Sequence, residues 1–145
     1  MAVAYVAKNG PLSQLPKAFM ELRDLLQRER LRLLGPATCV YLNGPKGVVP
    51  DEQAWEVRSV VEGTPAAADD EGTGVKVIEA ELVAAAVHKG PTYEAGPTYR
   101  ALGDWIAQNA YRAVGPAEEV YLNDPTDTPA AELLIEVRLP VAPVE

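Results

Sequence analysis

Cysteine and histidine are almost missing: the 145 residues hold one of each, Cys39 and His88. One cysteine closes no intramolecular disulfide and anchors no multi-cysteine zinc site. A lone thiol fits a reducing compartment. One histidine and one cysteine assemble no metal cluster, so neither metal nor cofactor is expected. Positive charge is scarce too, with 13 Lys and Arg against 21 Asp and Glu and a net charge of −8. A nucleic-acid binder carries a basic patch, and an acidic chain repels phosphate and lipid head groups while attracting cations. The N-terminus has no basic segment followed by an apolar run, which argues against a signal peptide. The most apolar stretch, residues 82–87, is far too short to cross a bilayer. Neither a phosphate-binding glycine loop nor a nucleophile elbow occurs, since Gly90-Pro91 and Gly96-Pro97 only punctuate turns. These absences predict a soluble cytoplasmic protein without nucleic-acid or membrane partners.

What is present is ordinary for a globular domain, with 48% hydrophobic and 23% charged residues. The length suits one domain, or two small halves sharing a core. The chain also repeats itself. Shifting it by 80 residues lays Gly10-Pro11 on Gly90-Pro91 and Gly35-Pro36-Ala37 on Gly115-Pro116-Ala117. Val40-Tyr41-Leu42-Asn43 falls on Val120-Tyr121-Leu122-Asn123, Pro45 on Pro125, and Glu56-Val57-Arg58 on Glu136-Val137-Arg138. One register holds without a gap, which chance matches do not do. The reading is therefore one domain over residues 1–145, with module one at 1–63, a linker at 64–74 and module two at 75–145. The linker, TPAAADDEGTG, is small and acidic, and its Asp69-Asp70-Glu71 run reads as solvated.

Each module reads strand, helix, strand, strand. Module one has strands at 2–7, 38–43 and 53–61 and a helix at 14–31. Leu15, Ala18, Phe19, Leu22, Leu25 and Leu26 recur at the three-and-four spacing of one buried face. Pro16 stands in the first turn, where its missing N–H costs little. Module two has an extended segment at 75–88, read as two strands or one bent strand, a helix at 97–109, and strands at 118–123 and 132–139. Tyr99, Leu102, Trp105 and Ile106 fall on the buried side of that helix. The fold class predicted is α+β: two pseudo-symmetric modules forming one antiparallel sheet with two helices packed on it. Each module alone is too small for much of a core, so the two are expected to fold together.

The repeat supplies its own comparison. Shared positions serve the fold: Gly10/Gly90 and Gly35/Gly115 read as turn glycines, and Val40/Val120 and Leu42/Leu122 as core-facing strand residues. Divergent positions are free for other work. Thr38-Cys39 stands against Glu118-Glu119. Strand alternation puts Glu119, Tyr121 and Asn123 on the row opposite Val120 and Leu122. Glu136 and Arg138 share a row on the neighbouring strand. A carboxylate beside an aromatic in a partly closed site binds a cation or acts as a base; the plain alternative is a solvated surface glutamate. Aromatics diverge as well. Tyr93, Tyr99, Trp105, Tyr111 and Tyr121 stand where module one has Ser13, Phe19, Leu25, Leu31 and Tyr41. Such rings combine apolar area with a polar handle and attract cations. Tyr99, at helical spacing, reads as core packing; Tyr93, in the loop entering the helix, suits a site equally well. His88, beside Lys89, reads as structural.

The motifs H-x-G-P-x-Y (His88 to Tyr93), E-x-Y-L-N-D-P (Glu119 to Pro125) and E-V-R-L-P-V (Glu136 to Val141), with a helix ending near Trp105-Ile106, resemble the GyrI-like small-molecule-binding family. Module one matches more weakly through FMELRDLL, GPATCVYLNGP and EVRSVV. The resemblance covers nearly the whole chain. It implies two strand–helix–strand–strand modules and a pocket between them for hydrophobic, often cationic compounds. It also implies aromatic walls and a late-strand glutamate that contacts the ligand's positive charge. That glutamate maps onto Glu119; Tyr121, Tyr93, Trp105, Tyr41 and Glu136 complete the candidate set. The same domain serves as effector-binding part of MerR-type and AraC-type multidrug regulators, and this chain looks like the stand-alone form.

Three functions follow. The first is binding of a hydrophobic, aromatic or cationic small molecule. The second takes its cue from similar stand-alone hydrolases that open cyclopropane rings in alkylating toxins; Glu119 is then the general base. The third is a protein-interaction inhibitor of the gyrase-inhibitor type, with a protein as partner. Cys39 replaces the glutamate in module one, so one acidic site is expected.

Overall fold

The computed structural model describes residues 1–42, 53–63 and 72–145. Asn43 and Pro45 of the repeat, the glycine–proline loop after them, and Asp69-Asp70-Glu71 lie outside the described residues. Nine strands and two α-helices are found among the described ones, which makes the fold α+β as the sequence predicts. They divide into two compact units, Met1–Ala80 and Glu81–Glu145.

The first unit holds β1 (Ala2–Asn9), α1 (Leu15–Arg28), β2 (Arg32–Leu33), β3 (Thr38–Tyr41), β4 (Ala54–Glu62) and β5 (Thr73–Val77). Strand β4 pairs antiparallel with β1, β2 and β3; β1 also pairs with β5. Val57 stands opposite both Val6 and Cys39. Ala18, Leu22 and Leu25 bury one stripe of α1, which packs on β1 and β4. Burial of each such leucine is worth about 1.5–3 kcal/mol. An ion pair of 2.7 Å between Lys8 and Glu21 ties β1 to the helix.

Strand β5 belongs to the first unit. Val75 pairs with Ala4, Lys76 with Val3 and Val77 with Ala2, so residues 75–77 complete the first unit's pairing. The extended stretch 75–88 is therefore two strands in two units. Only the later one, β6 (Val83–Lys89), occupies the place that β1 holds 80 residues earlier. The second unit continues with α2 (Gly96–Gln108), β7 (Tyr111–Ala113), β8 (Glu118–Tyr121) and β9 (Leu134–Pro143). Here β9 pairs antiparallel with β6, β7 and β8. Leu102 and Ile106 of α2 pack on Ala84, Val137 and Val141. The short strands β2 and β7 escape sequence reading because two or three residues carry no periodicity.

The repeat persists down to single hydrogen bonds. The N–H of Gly10 donates to the Gln53 carbonyl and that of Gly90 to the Leu133 carbonyl, both at 2.8 Å. Their φ angles, +129° and +120°, explain the glycines. Gly35 and Gly115 differ from expectation: neither has positive φ. At Gly115 the reason is close approach, since a Cβ there would lie 3.1 Å from Pro140 Cγ.

Both helices end in a left-handed residue that is not glycine, Arg30 (φ 52°) and Ala110 (φ 60°), 80 residues apart. After α1 the N–H of Leu31 donates to Leu26 and that of Arg30 to Gln27, the paired bonds of a Schellman cap. A side chain in this conformation costs about 1–2 kcal/mol. Part of that is recovered by glycine, which loses more chain entropy on folding. Arg30→Gly and Ala110→Gly should each raise stability by up to about 1 kcal/mol, or roughly 2–4 °C in Tm. A thermal melt checks this; a fall in Tm for both would show that the side chains' own contacts outweigh the strain.

Candidate functional site

Strand β8 positions the acidic candidate. Glu119 pairs across β9 with Val137, and Tyr121 pairs with Ile135. Paired residues point to the same side of a sheet. Val137 lies in the core beneath α2, so Glu119 faces the helix. This inverts the expected assignment, in which Val120 and Leu122 took that side. Leu42 and Leu122 stand one residue past their strands and are half exposed, so the core expectation fails for them. Val40 and Val120 are buried, Val120 on the face opposite Glu119. A buried face accepts a carboxylate that has a hydrogen-bond donor beside it.

Glu119 is only 4% exposed. The phenol of Tyr99, one turn into α2, donates to Glu119 Oε2 at 2.6 Å. That distance is typical of a charge-assisted O–H···O bond, and the bond offsets part of the cost of withdrawing a carboxylate from water. Tyr99 also packs against the Leu102–Val137 core. Read from the sequence it was core packing; it is that and the carboxylate's hydrogen-bond donor. The signal was present in the repeat. Module one carries Phe19 and Cys39 at the two places, so hydroxyl and carboxylate are lost together. The hydrogen bond between the two groups goes with them.

The other candidates are distributed more widely. Tyr121 is buried, two residues along the same face. Trp105 is 48% exposed. Its buried-side expectation fails because Leu102 and Ile106 take the inward positions of α2. Its ring stacks on Tyr111, with centroids 5.9 Å apart and planes 13° from parallel. Tyr93 is 85% exposed, in a 3-10 turn ahead of α2. Glu136 pairs with Val120, which puts it on the face opposite Glu119, and Arg138 Nε donates to its Oε1 at 2.8 Å. Tyr41 belongs to the first unit, buried opposite Trp55. His88 Nε2 donates to the Pro91 carbonyl at 2.9 Å across the Gly90 turn, a structural contact. Among the described residues no group of three or more His, Cys, Asp or Glu is arranged to hold a metal. No helix among them is long and apolar enough to cross a membrane.

The Tyr99–Glu119 pair makes a testable stability statement. Tyr99→Phe alone strips a donor from a buried carboxylate and should destabilise by about 1–3 kcal/mol. Tyr99→Phe with Glu119→Cys, which copies module one, should cost less than the sum of the two single variants, because the hydrogen-bonded groups leave together. Urea titrations of both single variants and the double variant check it. Additive losses in the double variant would show that the groups are not coupled.

The chain matches the GyrI-like small molecule binding domain over residues 1–142. It is similar to EcmrR in a cryo-EM structure of the EcmrR–DNA complex, with a TM-score of 0.82 and 19% identity, covering 99% of this chain and 54% of that one. It thus spans about half of the EcmrR chain. The crystal structure of the EcmrR C-terminal domain gives a TM-score of 0.75 at 20% identity, covering 99% and 92% of the two chains. A hydrolase from Listeria innocua gives 0.73 at 16%, covering 98% and 87%. At these identities the likeness is one of fold. No curated protein sequence matches. With the family match running almost end to end over two copies of one unit, this chain belongs to the GyrI-like small molecule binding domains.

Proposed function

We propose that the protein binds an aromatic or otherwise hydrophobic organic cation, with Glu119 as its counter-charge. The observation that carries this reading is a carboxylate 4% exposed on the helix-facing side of β8, held by a phenol that arises together with it in one module only. An anionic group in such surroundings attracts a cation far more strongly than one in water. The Tyr121 ring on the same face, and the stacked pair of Trp105 on α2 with Tyr111 on β7, supply flat apolar surface. The net charge of −8 favours approach of a cation. Tyr99 is a positioning residue: it orients the carboxylate and keeps its charge tolerable.

Hydrolysis of a small electrophile is the second reading. It is favoured by the likeness to a Listeria innocua hydrolase and by the carboxylate itself, which suits a general base for water. One experiment separates the two readings. The protein is titrated with flat cationic dyes, their neutral analogues and strained cyclopropane electrophiles, followed by Trp fluorescence and by loss of electrophile. Saturable binding of the cations with no turnover supports the binder. Electrophile consumption that Glu119→Gln abolishes, with binding retained, replaces it with the hydrolase. Equal affinity for cations and neutral analogues rejects the role given to Glu119.

A further inference from the structure

The first unit holds another carboxylate withdrawn from water. Glu56 of β4 is 2% exposed. It points to the face opposite α1, because it pairs with Ala7 while the helix side carries Val57 and Val6. Tyr5 and Arg58, a pair in the same ladder, share that face. So does Lys76 of β5, which pairs with Val3. Gly74, opposite Tyr5 on β5, presents no side chain there.

Lys76 Nζ donates to Glu56 Oε1 at 2.6 Å and sits 4.3 Å from the centroid of the Tyr5 ring. An ammonium between a buried carboxylate and an aromatic face is how a protein holds an organic amine. The lysine side chain is 41% exposed, against 2% for the glutamate, so the arrangement opens to solvent along the lysine. Arg58 Nε lies 3.2 Å from the other oxygen, Oε2, and makes no hydrogen bond to it. The carboxylate's one short bond among the described contacts is the one to Lys76.

The second unit shows which parts the fold itself requires. Glu136 and Arg138 repeat Glu56 and Arg58, and there the arginine donates directly to the glutamate at 2.8 Å. Ala85 stands at the place of Tyr5. The glutamate–arginine pair is common property. The ring is an addition of the first unit, and Lys76 of β5 lies over it.

We propose that Glu56 and Tyr5 form a second ammonium site in this protein, specific for primary alkylammonium groups and occupied by Lys76 as a tethered ligand. A short tether holds its end group at roughly millimolar effective concentration or above. Free amines at lower concentration therefore do not displace it, and the site is silent in the wild type.

The test uses the whole chain. Lys76→Ala removes the side chain beyond Cβ, and propylammonium supplies the missing atoms. Propylammonium chloride should raise the Tm of Lys76→Ala saturably and bind it at least tenfold more tightly than wild type. Propanol and sodium chloride should not raise it, nor should propylammonium stabilise Lys76→Ala/Glu56→Gln. An equal response to propanol, or equal responses of wild type and Lys76→Ala, overturns the proposal. Should Lys76→Ala not be recovered folded, the wild type is read instead. In protein labelled with 13C-lysine, the Lys76 ε-methylene resonances should be shifted upfield by the Tyr5 ring and return in Tyr5→Leu. An unshifted resonance overturns the proposal as well.

Discussion

Replacing Glu119 by glutamine is expected to weaken the binding of a flat organic cation by about 30- to 150-fold, equivalent to about 2–3 kcal/mol. A neutral analogue of the same shape should keep its affinity within about threefold. Glutamine preserves the volume and one acceptor oxygen, so a change confined to cations isolates the charge. The size follows from the surroundings. At 4% exposure beneath α2, the carboxylate is poorly screened by water and salt. The loss should therefore be nearly the same at low and high ionic strength, whereas an exposed glutamate would lose most of its effect in salt. Tyr99→Phe should weaken binding less, because the charge remains while its orientation is relaxed. Isothermal titration of wild type, both single variants and the double variant completes the cycle. A Glu119→Gln variant that binds cations as well as wild type would mean that the carboxylate is structural, and the proposed function would fall.

Trp55→Ala should be the most destabilising substitution in the first unit, costing about 3–5 kcal/mol. The side chain is fully buried in β4, and its indole N–H donates to the Gly10 carbonyl at 3.0 Å. Truncation removes the largest buried side chain and leaves that carbonyl without its donor. Against a total stability of roughly 5–15 kcal/mol for a domain, this is a large share. Ile135 is the repeat counterpart, also fully buried, with no polar atom. Ile135→Ala should cost about 2–5 kcal/mol through the cavity alone. Trp55→Phe should fall below Trp55→Ala, because the ring still fills most of the space while the hydrogen bond is lost. Urea unfolding read by circular dichroism gives all three values. A cost below about 1 kcal/mol for Trp55→Ala would mean that the unit collapses freely around the gap.

The duplication was the most legible property of the sequence. A shift of 80 residues needs no structure to be seen, and it carries the strand and helix order, the turn glycines Gly10 and Gly90, and the family. Helix positions were close as well: residues 14–31 and 97–109 were expected, and Leu15–Arg28 and Gly96–Gln108 are found. Amphipathic spacing over three or more turns is a strong signal. Strand β5 was misplaced because a ladder's partner is set by residues distant in the chain.

Glu119 was singled out from composition and comparison, but its face was not. Alternation determines that Glu119 and Val120 point opposite ways; it does not say which way the helix lies. Hydrophobicity favours placing Val120 and Leu122 inward, but both faces of this sheet bury residues: Val120 on one, Glu119 with Val137 on the other. Only the register of β8 on β9 and the position of α2 decided that Tyr99 meets Glu119. The sequence by itself determined the repeat, the two helices and the order of the longer strands, because these are local patterns or self-comparisons. Tertiary structure decided the carboxylate's face, its phenolic partner, and the lysine that Glu56 and Tyr5 hold. Those depend on side chains brought together across strands and helices 20 or more residues apart.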